Sequence, residues 1–308
     1  MNGRTIRRFA VLLGLALLIV VAAAPVRAQL NVVRVPEPFV TVSDYPWSGI
    51  AKLNNSAYGS CSAVLVSPRH ALTAAHCLVF RRTGKYLPAQ ALHLVFGYDR
   101  GAFRDNLHVA AFHVPPGYDP QRPQETLADD WALLLIDGKP HARPLAIAQG
   151  VDSDTTLQFM TAGYSRLVPH RMTADRRCHL VGRTKSRAIL FDSCHAPEGF
   201  SGGPVLIENA ADHSFAVAGI HVAKESWQGT TVTAAVSTEA IWRAIKPCIV
   251  DDQCEFQYVA TGKDPTAAEV LAVPGLNLAS TSSCAAGAPD CPPPPTRPLS
   301  GSGKIKPR

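Results

Sequence analysis

Three short segments, far apart in the chain, carry the parts of one reaction. Leu72-Thr73-Ala74-Ala75-His76-Cys77 holds an imidazole, Asp130-Trp131-Ala132-Leu133-Leu134 a carboxylate, and Gly199-Phe200-Ser201-Gly202-Gly203-Pro204 a hydroxyl on a glycine-rich turn. A serine hydroxyl is a poor nucleophile near neutral pH and needs an imidazole to take its proton. The imidazole in turn needs a carboxylate to fix its tautomer. If the three act together, the fold must bring residues 76, 130 and 201 to one point. Each segment alone has a plain structural reading: a turn at Ser201, a core histidine at 76, a strand-end cap at Asp130. Their joint occurrence, each in a matching apolar context, favours the chemical reading.

The surrounding chain is a succession of short apolar runs broken by turn residues, the pattern of an all-β fold. Runs at 48–53, 62–67, 70–75, 92–97, 109–114 and 131–136 predict six strands, and those at 157–163, 178–181, 188–192, 204–207, 216–222 and 230–236 predict six more. Two six-stranded antiparallel β-barrels, about 45–140 and 150–237, remove exposed sheet edges and leave a cleft for an extended polypeptide. Ser237 or Thr238 is expected to cap a short C-terminal helix that packs Ile241 and Ile245 inward and ends near Lys246-Pro247.

In the order His, Asp, Ser, the three segments resemble the trypsin/chymotrypsin-like serine peptidases, over roughly residues 45–248. The resemblance implies a chymotrypsin-like fold and a serine endopeptidase acting through an acyl-enzyme. Ser201 would attack, His76 would shuttle the proton, Asp130 would orient His76, and the N–H groups of Gly199 and Ser201 would form the oxyanion hole. Phe200 departs from the aspartate that animal trypsin-like zymogens carry there, so activity is not expected to depend on an ion pair with a new amino terminus. Gly219-Ile220-His221 resembles glutamyl endopeptidase-like members of the bacterial branch, although Ala196 stands where those carry threonine. His195, His221, Val222 and Lys224 are therefore the expected substrate-binding residues. Protonation of the histidines would then favour an acidic side chain more at pH 6 than at pH 8. The alternative is a catalytically inactive peptidase-like binding protein at the cell surface.

Arg4, Arg7 and Arg8 precede an apolar run over 9–24, and Val26-Arg27-Ala28 follows as a small-residue cleavage site. Residues 1–28 thus read as a signal peptide, with an uncleaved anchor as the rival, and the mature chain as secreted or periplasmic. The peptidase-like domain is expected over 29–262. The low-complexity stretch 263–308, with Cys291-Pro292-Pro293-Pro294-Pro295, reads as a disordered Pro-rich tail. Loss of residues 1–28 removes four arginines and lowers the formal charge from +6 to +2, and Arg297, Lys304, Lys306 and Arg308 lie in the tail. No basic face remains on the domain, so the expected partner is a polypeptide substrate, without nucleic acid and without stable membrane association after signal cleavage.

Eight cysteines in an exported chain predict disulfides, and 105 pairings are possible. Spacing suggests Cys61–Cys77, Cys178–Cys194, Cys248–Cys254 and Cys284–Cys291, the first matching the bridge that closes the histidine loop in the peptidase family. No CxxC pairs with a second CxxC or an HxxxH, so neither metal nor cofactor is expected.

Overall fold

Strand β1 (Ile50–Asn55) buries Ile50, Ala51 and Leu53, and the same half-buried pattern recurs along the chain. In the computed structural model, which describes residues 39–55, 60–151, 157–209, 212–227, 229–251 and 253–260, such runs build two large curved sheets, antiparallel but for one short parallel pairing of 146–147 with 216–217. After β1 come β2 (Ser60–Leu65), β3 (His70–Thr73), a hairpin of β4 (Val79–Phe80) and β5 (Lys85–Tyr86), β6 (Leu92–Phe96), β7 (Asp105–His113) and β8 (Ala132–Ile136). The order β7-β6-β1-β2-β3-β8 closes because β7 also pairs with β8. One strand serves both neighbours by bending. Its first half faces β6, from Phe96↔Asp105 to His93↔His108, and its second half faces β8, with a bulge between Val109 and Ala111. A bulge adds local twist, which is what closure of a six-stranded barrel requires. Leu53, Val64, Leu72, Leu94, Phe112 and Leu134 are among the buried side chains of this barrel.

The second sheet holds β9 (Ala146–Ile147), β10 (Gln158–Gly163), β11 (Thr173–Cys178), β12 (Leu180–Arg183), β13 (Ile189–Asp192), β14 (Pro204–Asn209), β15 (Ser214–Trp227) and β16 (Thr230–Ser237). Its path is β11-β10-β14-β15-β16-β13-β12, and only His179 separates β11 from β12 in the chain. The sheet therefore curls until its two ends lie in one continuous segment. A strand was expected over 178–181, but β11 begins at Thr173. The polar run Asp175-Arg176-Arg177 masks its alternation, and Asp175 is nevertheless buried because its carboxylate accepts the N–H groups of Arg177 and His195.

Helix α1 (Thr238–Asp251) follows β16 and buries Thr238, Ile241, Ile245 and Cys248 on one stripe. Ser237 is the capping residue, its hydroxyl accepting the Glu239 N–H at 3.2 Å, whereas Thr238 donates to the carbonyls of Ala148 and Val217. The helix does not end at Lys246-Pro247 as expected. Proline costs one backbone hydrogen bond inside a helix, but the buried Cys248, bonded to Cys254, holds the following turn against the core. Past that bridge, β17 (Tyr258–Val259) pairs with β7, and Gln257 accepts the Val114 N–H through Oε1. The chain thus returns from the second barrel to the first, and Tyr258 stacks on Phe112 at 4.5 Å. The expected signal peptide over 1–28, the expected tail over 263–308 and the expected pair Cys284 and Cys291 lie outside the described residues.

Candidate active site

His76 sits on a 3-10 turn, Ala75–Leu78, immediately after β3, and the neighbouring Cys77 is bonded to Cys61 on β2 with a Cα–Cα distance of 6.1 Å. The bridge ties the turn to the barrel wall. Asp130 caps another 3-10 turn, Leu127–Asp129, where the chain enters β8. Because β3 and β8 are hydrogen-bonded neighbours, with Thr73 opposite Ala132, the strand ends deliver both side chains to the same rim. Asp130 is 2% exposed and uses both carboxylate oxygens on His76: Oδ1 accepts the backbone N–H at 2.9 Å and Oδ2 faces Nδ1 at 2.7 Å. An ionised carboxylate only accepts, so Nδ1 carries the proton and Nε2 keeps its lone pair.

A bridge of this loop size stabilises by about 3 kcal/mol in the chain-entropy model. Replacing Cys61 and Cys77 together by serine is expected to lower the denaturant midpoint, since the bridge ties the His76 turn to the barrel wall. Denaturant melts check this, and an unchanged midpoint would show that the bridge contributes no stability.

Ser201 arrives from the other barrel, on the turn that leads into β14. Its carbonyl accepts the Ser62 N–H at 2.9 Å, Gly202 donates to the His221 carbonyl at 2.8 Å, and Gly203 donates to the Phe200 carbonyl at 2.7 Å. The Glu198 carbonyl accepts the Arg166 N–H at 2.7 Å. In a trans peptide C=O and N–H point opposite ways, so the Gly199 N–H is turned away from Arg166. Among the described residues, neither Gly199 N–H nor Ser201 N–H has a backbone acceptor. Gly199 takes φ of 100°, and a Cβ there would strike the Tyr164 carbonyl oxygen. The turn requires glycine.

Sequence reasoning missed Ser62, a fully buried side chain on β2. Its hydroxyl donates to the Gly199 carbonyl at 2.9 Å and accepts the Tyr164 N–H at 3.0 Å, while Thr73 donates to its carbonyl at 2.8 Å. Only the fold reveals this, because nothing in the sequence around Cys61 distinguishes a serine that crosses the barrel seam from any other strand serine.

His76, Asp130 and Ser201 all line one cleft of about 380 Å3, walled further by Tyr118, Leu127 and Val222. Tyr118 lies close enough to Asp130 for that charge, after burial, to help push its phenol upward in pKa. Adjoining Ser201 is a smaller pocket of about 150 Å3, bounded by Ala196, Phe200, His221, Val222, Lys224 and Thr233 among others. Three of the four expected substrate-binding residues thus meet there. His195 does not line it: this residue is half-buried and its N–H is bound to Asp175 at 2.8 Å, next to the Cys178–Cys194 bridge that braces the segment. The expected protonation of His221 is also corrected, because complete burial drives its pKa down to about 3. It stays neutral between pH 6 and 8. Phe200 is buried against the seam beside Gly163 and takes apolar packing where an aspartate would need a countercharge.

The Cys61 and Cys77 sulfurs lie near the His76 imidazole but are joined to each other, which leaves no thiolate to bind a metal. No helix among the described residues is long and apolar enough to cross a membrane.

Compared with known proteins, residues 40–242 match the family described as Trypsin. Among curated proteins, the chain is 28% identical over 199 positions to Serine protease 23 of Mus musculus and 26% identical over 186 positions to Serine protease 23 of Bos taurus. Each match covers 53% of this chain, and 46% and 47% of the respective relatives, so the chain spans about half the length of the curated relatives it matches. Both relatives are mammalian.

Proposed function

We propose, from the premise that this chain belongs to the trypsin family, that it is an exported serine endopeptidase working through an acyl-enzyme. Ser201 Oγ attacks the scissile carbonyl as His76 Nε2 takes its proton, and the developing oxyanion is received by the Gly199 and Ser201 N–H groups. His76 then returns the proton to the leaving amine, and the same base activates water to release the acyl group. Asp130 stabilises the transient imidazolium.

The observation that carries this reading is the doubly anchored His76–Asp130 pair, at 2.9 and 2.7 Å, in one cleft with Ser201. The same two-point clasp recurs at His141 and Asp105, at 2.9 and 2.7 Å, so what sets His76 apart is the cleft that it and Asp130 share with Ser201. Export is supported by the composition of residues 1–28 and by three disulfides among the described residues, which persist in oxidising compartments. Membership of the bacterial branch is supported by Gly219-Ile220-His221 and by a Phe200 that needs no zymogen ion pair.

The test is covalent labelling of wild type by a peptidyl phosphonate, read by intact mass. Labelling that disappears in Ser201→Ala supports the reading. No labelling of folded wild type, together with no hydrolysis of a diverse peptide library, would leave the binding-protein alternative standing.

A second test concerns Ser62. Ser62→Ala removes the donor to the Gly199 carbonyl and leaves the Tyr164 N–H unpaired. The expected result is a kcat lowered about tenfold, the scale of one misplaced oxyanion donor or less, with KM nearly unchanged. An effect confined to thermal stability would make this serine structural only.

A further inference from the structure

The small pocket of about 150 Å3 beside Ser201 is lined by the segment that leads into the nucleophile turn and by β15, but not by His76. In the proposed reaction His76 hands its proton to the leaving amine, and it lines the larger cleft. The pocket therefore lies on the acyl side of the reacting carbonyl, next to the turn that carries the Gly199 and Ser201 N–H groups. A side chain that enters it belongs to the residue before the scissile bond.

Polar groups around this pocket are committed elsewhere or out of reach. Thr233 donates its hydroxyl to the Cys194 carbonyl at 2.8 Å, the Pro197 carbonyl accepts the Phe200 N–H at 3.0 Å, and the Glu198 carbonyl accepts the Arg166 N–H at 2.7 Å. His221 is 2% exposed and both of its ring nitrogens are buried, so an occupant meets none of its polar ring atoms. Burial also disfavours charge on that ring, whose pKa it pushes down to about 3. Two charged side chains border the pocket, Glu198 and Lys224, and both are exposed. Glu198 pairs with Arg166 at 3.2 Å. Most of the remaining wall is apolar: Ala196, Pro197, Phe200, Val222 and Ala223.

We propose that this pocket selects an uncharged apolar side chain, of leucine to phenylalanine size, before the scissile bond, and not the acidic one that Gly219-Ile220-His221 suggests in the sequence. The proposal rests on the peptidase reading and names the substrate class of that site. Volume sets its upper bound. An apolar cavity of about 150 Å3 holds a benzene molecule, so leucine, methionine or phenylalanine fills the pocket and a fused indole exceeds it. A glutamate or arginine would have to shed its water against a wall whose polar groups are engaged elsewhere. Lys224 offers a carboxylate only an ion pair in solvent, which changes an affinity by up to about fivefold. One methylene gained or lost in an apolar pocket changes it by about 10- to 200-fold. Filling the pocket outweighs pairing at its rim.

Matched quenched peptides that differ only in the residue before the cleaved bond, Leu, Phe, Ala, Gln, Glu or Arg, test the substrate. At pH 7 the Leu and Phe peptides are expected to exceed the Ala peptide in kcat/KM by about tenfold or more, and the Gln, Glu and Arg peptides by at least as much. Ala196→Val adds two methyl groups to the lining and should reverse the order, so that Ala is cleaved faster than Leu. An unchanged order in folded Ala196→Val overturns the proposal, since the residue then binds elsewhere. If that variant does not fold, the wild-type panel still decides: Glu, Gln or Arg cleaved as well as Leu, or Leu no better than Ala, also overturns it. Peptidyl phosphonates with a Leu or a Glu side chain at the reacting end give a readout without turnover. Their labelling rates, followed by intact mass, should differ at least tenfold in favour of Leu. Hydrolysis and labelling with another preference defeat the substrate assignment and leave the peptidase reading intact, whereas the absence of both in folded wild type defeats that reading and the assignment with it.

Discussion

Ser201→Ala is expected to lower kcat/KM by roughly 10^4- to 10^6-fold while leaving the fold intact, and His76→Ala to fall nearly as far. The serine change removes one hydroxyl at the mouth of the cleft and no core volume. The histidine is partly exposed, and its backbone N–H still reaches Asp130 in the alanine variant. The double variant should be no worse than either single one, because attack and proton removal are one event and losing either part loses both. Asp130→Asn is the more discriminating change. An asparagine amide in place of Oδ2 would donate to Nδ1 and move the imidazole proton to Nε2, which takes away the base while preserving the packing; a loss of about 10^4-fold is expected. Comparable hydrolysis by wild type and Ser201→Ala after rigorous purification would sink the assignment, because any residual peptidase then comes from a contaminant or from other residues.

The closed first barrel, the curled second sheet and the segments that bring His76, Asp130 and Ser201 to one cleft were legible in the sequence because each rests on local signals. Alternating runs such as Ile50–Asn55 and the fixed surroundings of His76 and Ser201 survive without knowledge of the partner strand. What escaped depends on contacts between distant segments. The polar face of β11 hid its first five residues, since Asp175 is buried only because Arg177 and His195 bring it their N–H groups. Helix α1 runs through Pro247 because Cys248 and Cys254 hold its end from outside the helix. One pocket residue was misplaced for the same reason. His195 stands close to Ser201 in sequence, yet its N–H is bound to Asp175 and it does not line the pocket, whereas His221, Val222 and Lys224 of β15 do. Proximity in the chain is a poor guide where a turn separates a strand end from the nucleophile.

Gly202→Ala should cost at least 100-fold in kcat/KM and several kcal/mol in stability, on the scale of overpacking combined with backbone strain. Gly202 has φ of 77°, and a methyl group there would strike Thr73 Oγ1 and the Ser62 carbonyl oxygen, with the Ala74 nitrogen only 2.8 Å away. All three belong to the first barrel, whereas Gly202 follows Ser201 on the turn that leads into β14 of the second sheet. The added atom therefore acts as a wedge across the seam that carries the Ser62–Ser201 hydrogen bond, beside the Thr73–Ser62 bond within the first barrel. Relief requires the Ser201 turn to move away from the very strand end that carries His76, and proton transfer between two side chains does not survive an ångström of displacement. Left-handed strain alone is a smaller effect, about 1–2 kcal/mol for a residue with a Cβ. Gly101 supplies the control: its φ is 94°, and a methyl group there meets nothing within 4 Å. Gly101→Ala should lower the melting temperature slightly and spare hydrolysis. Equal losses of activity in the two variants would show that backbone strain, and not the contact between barrels, governs the geometry of the nucleophile.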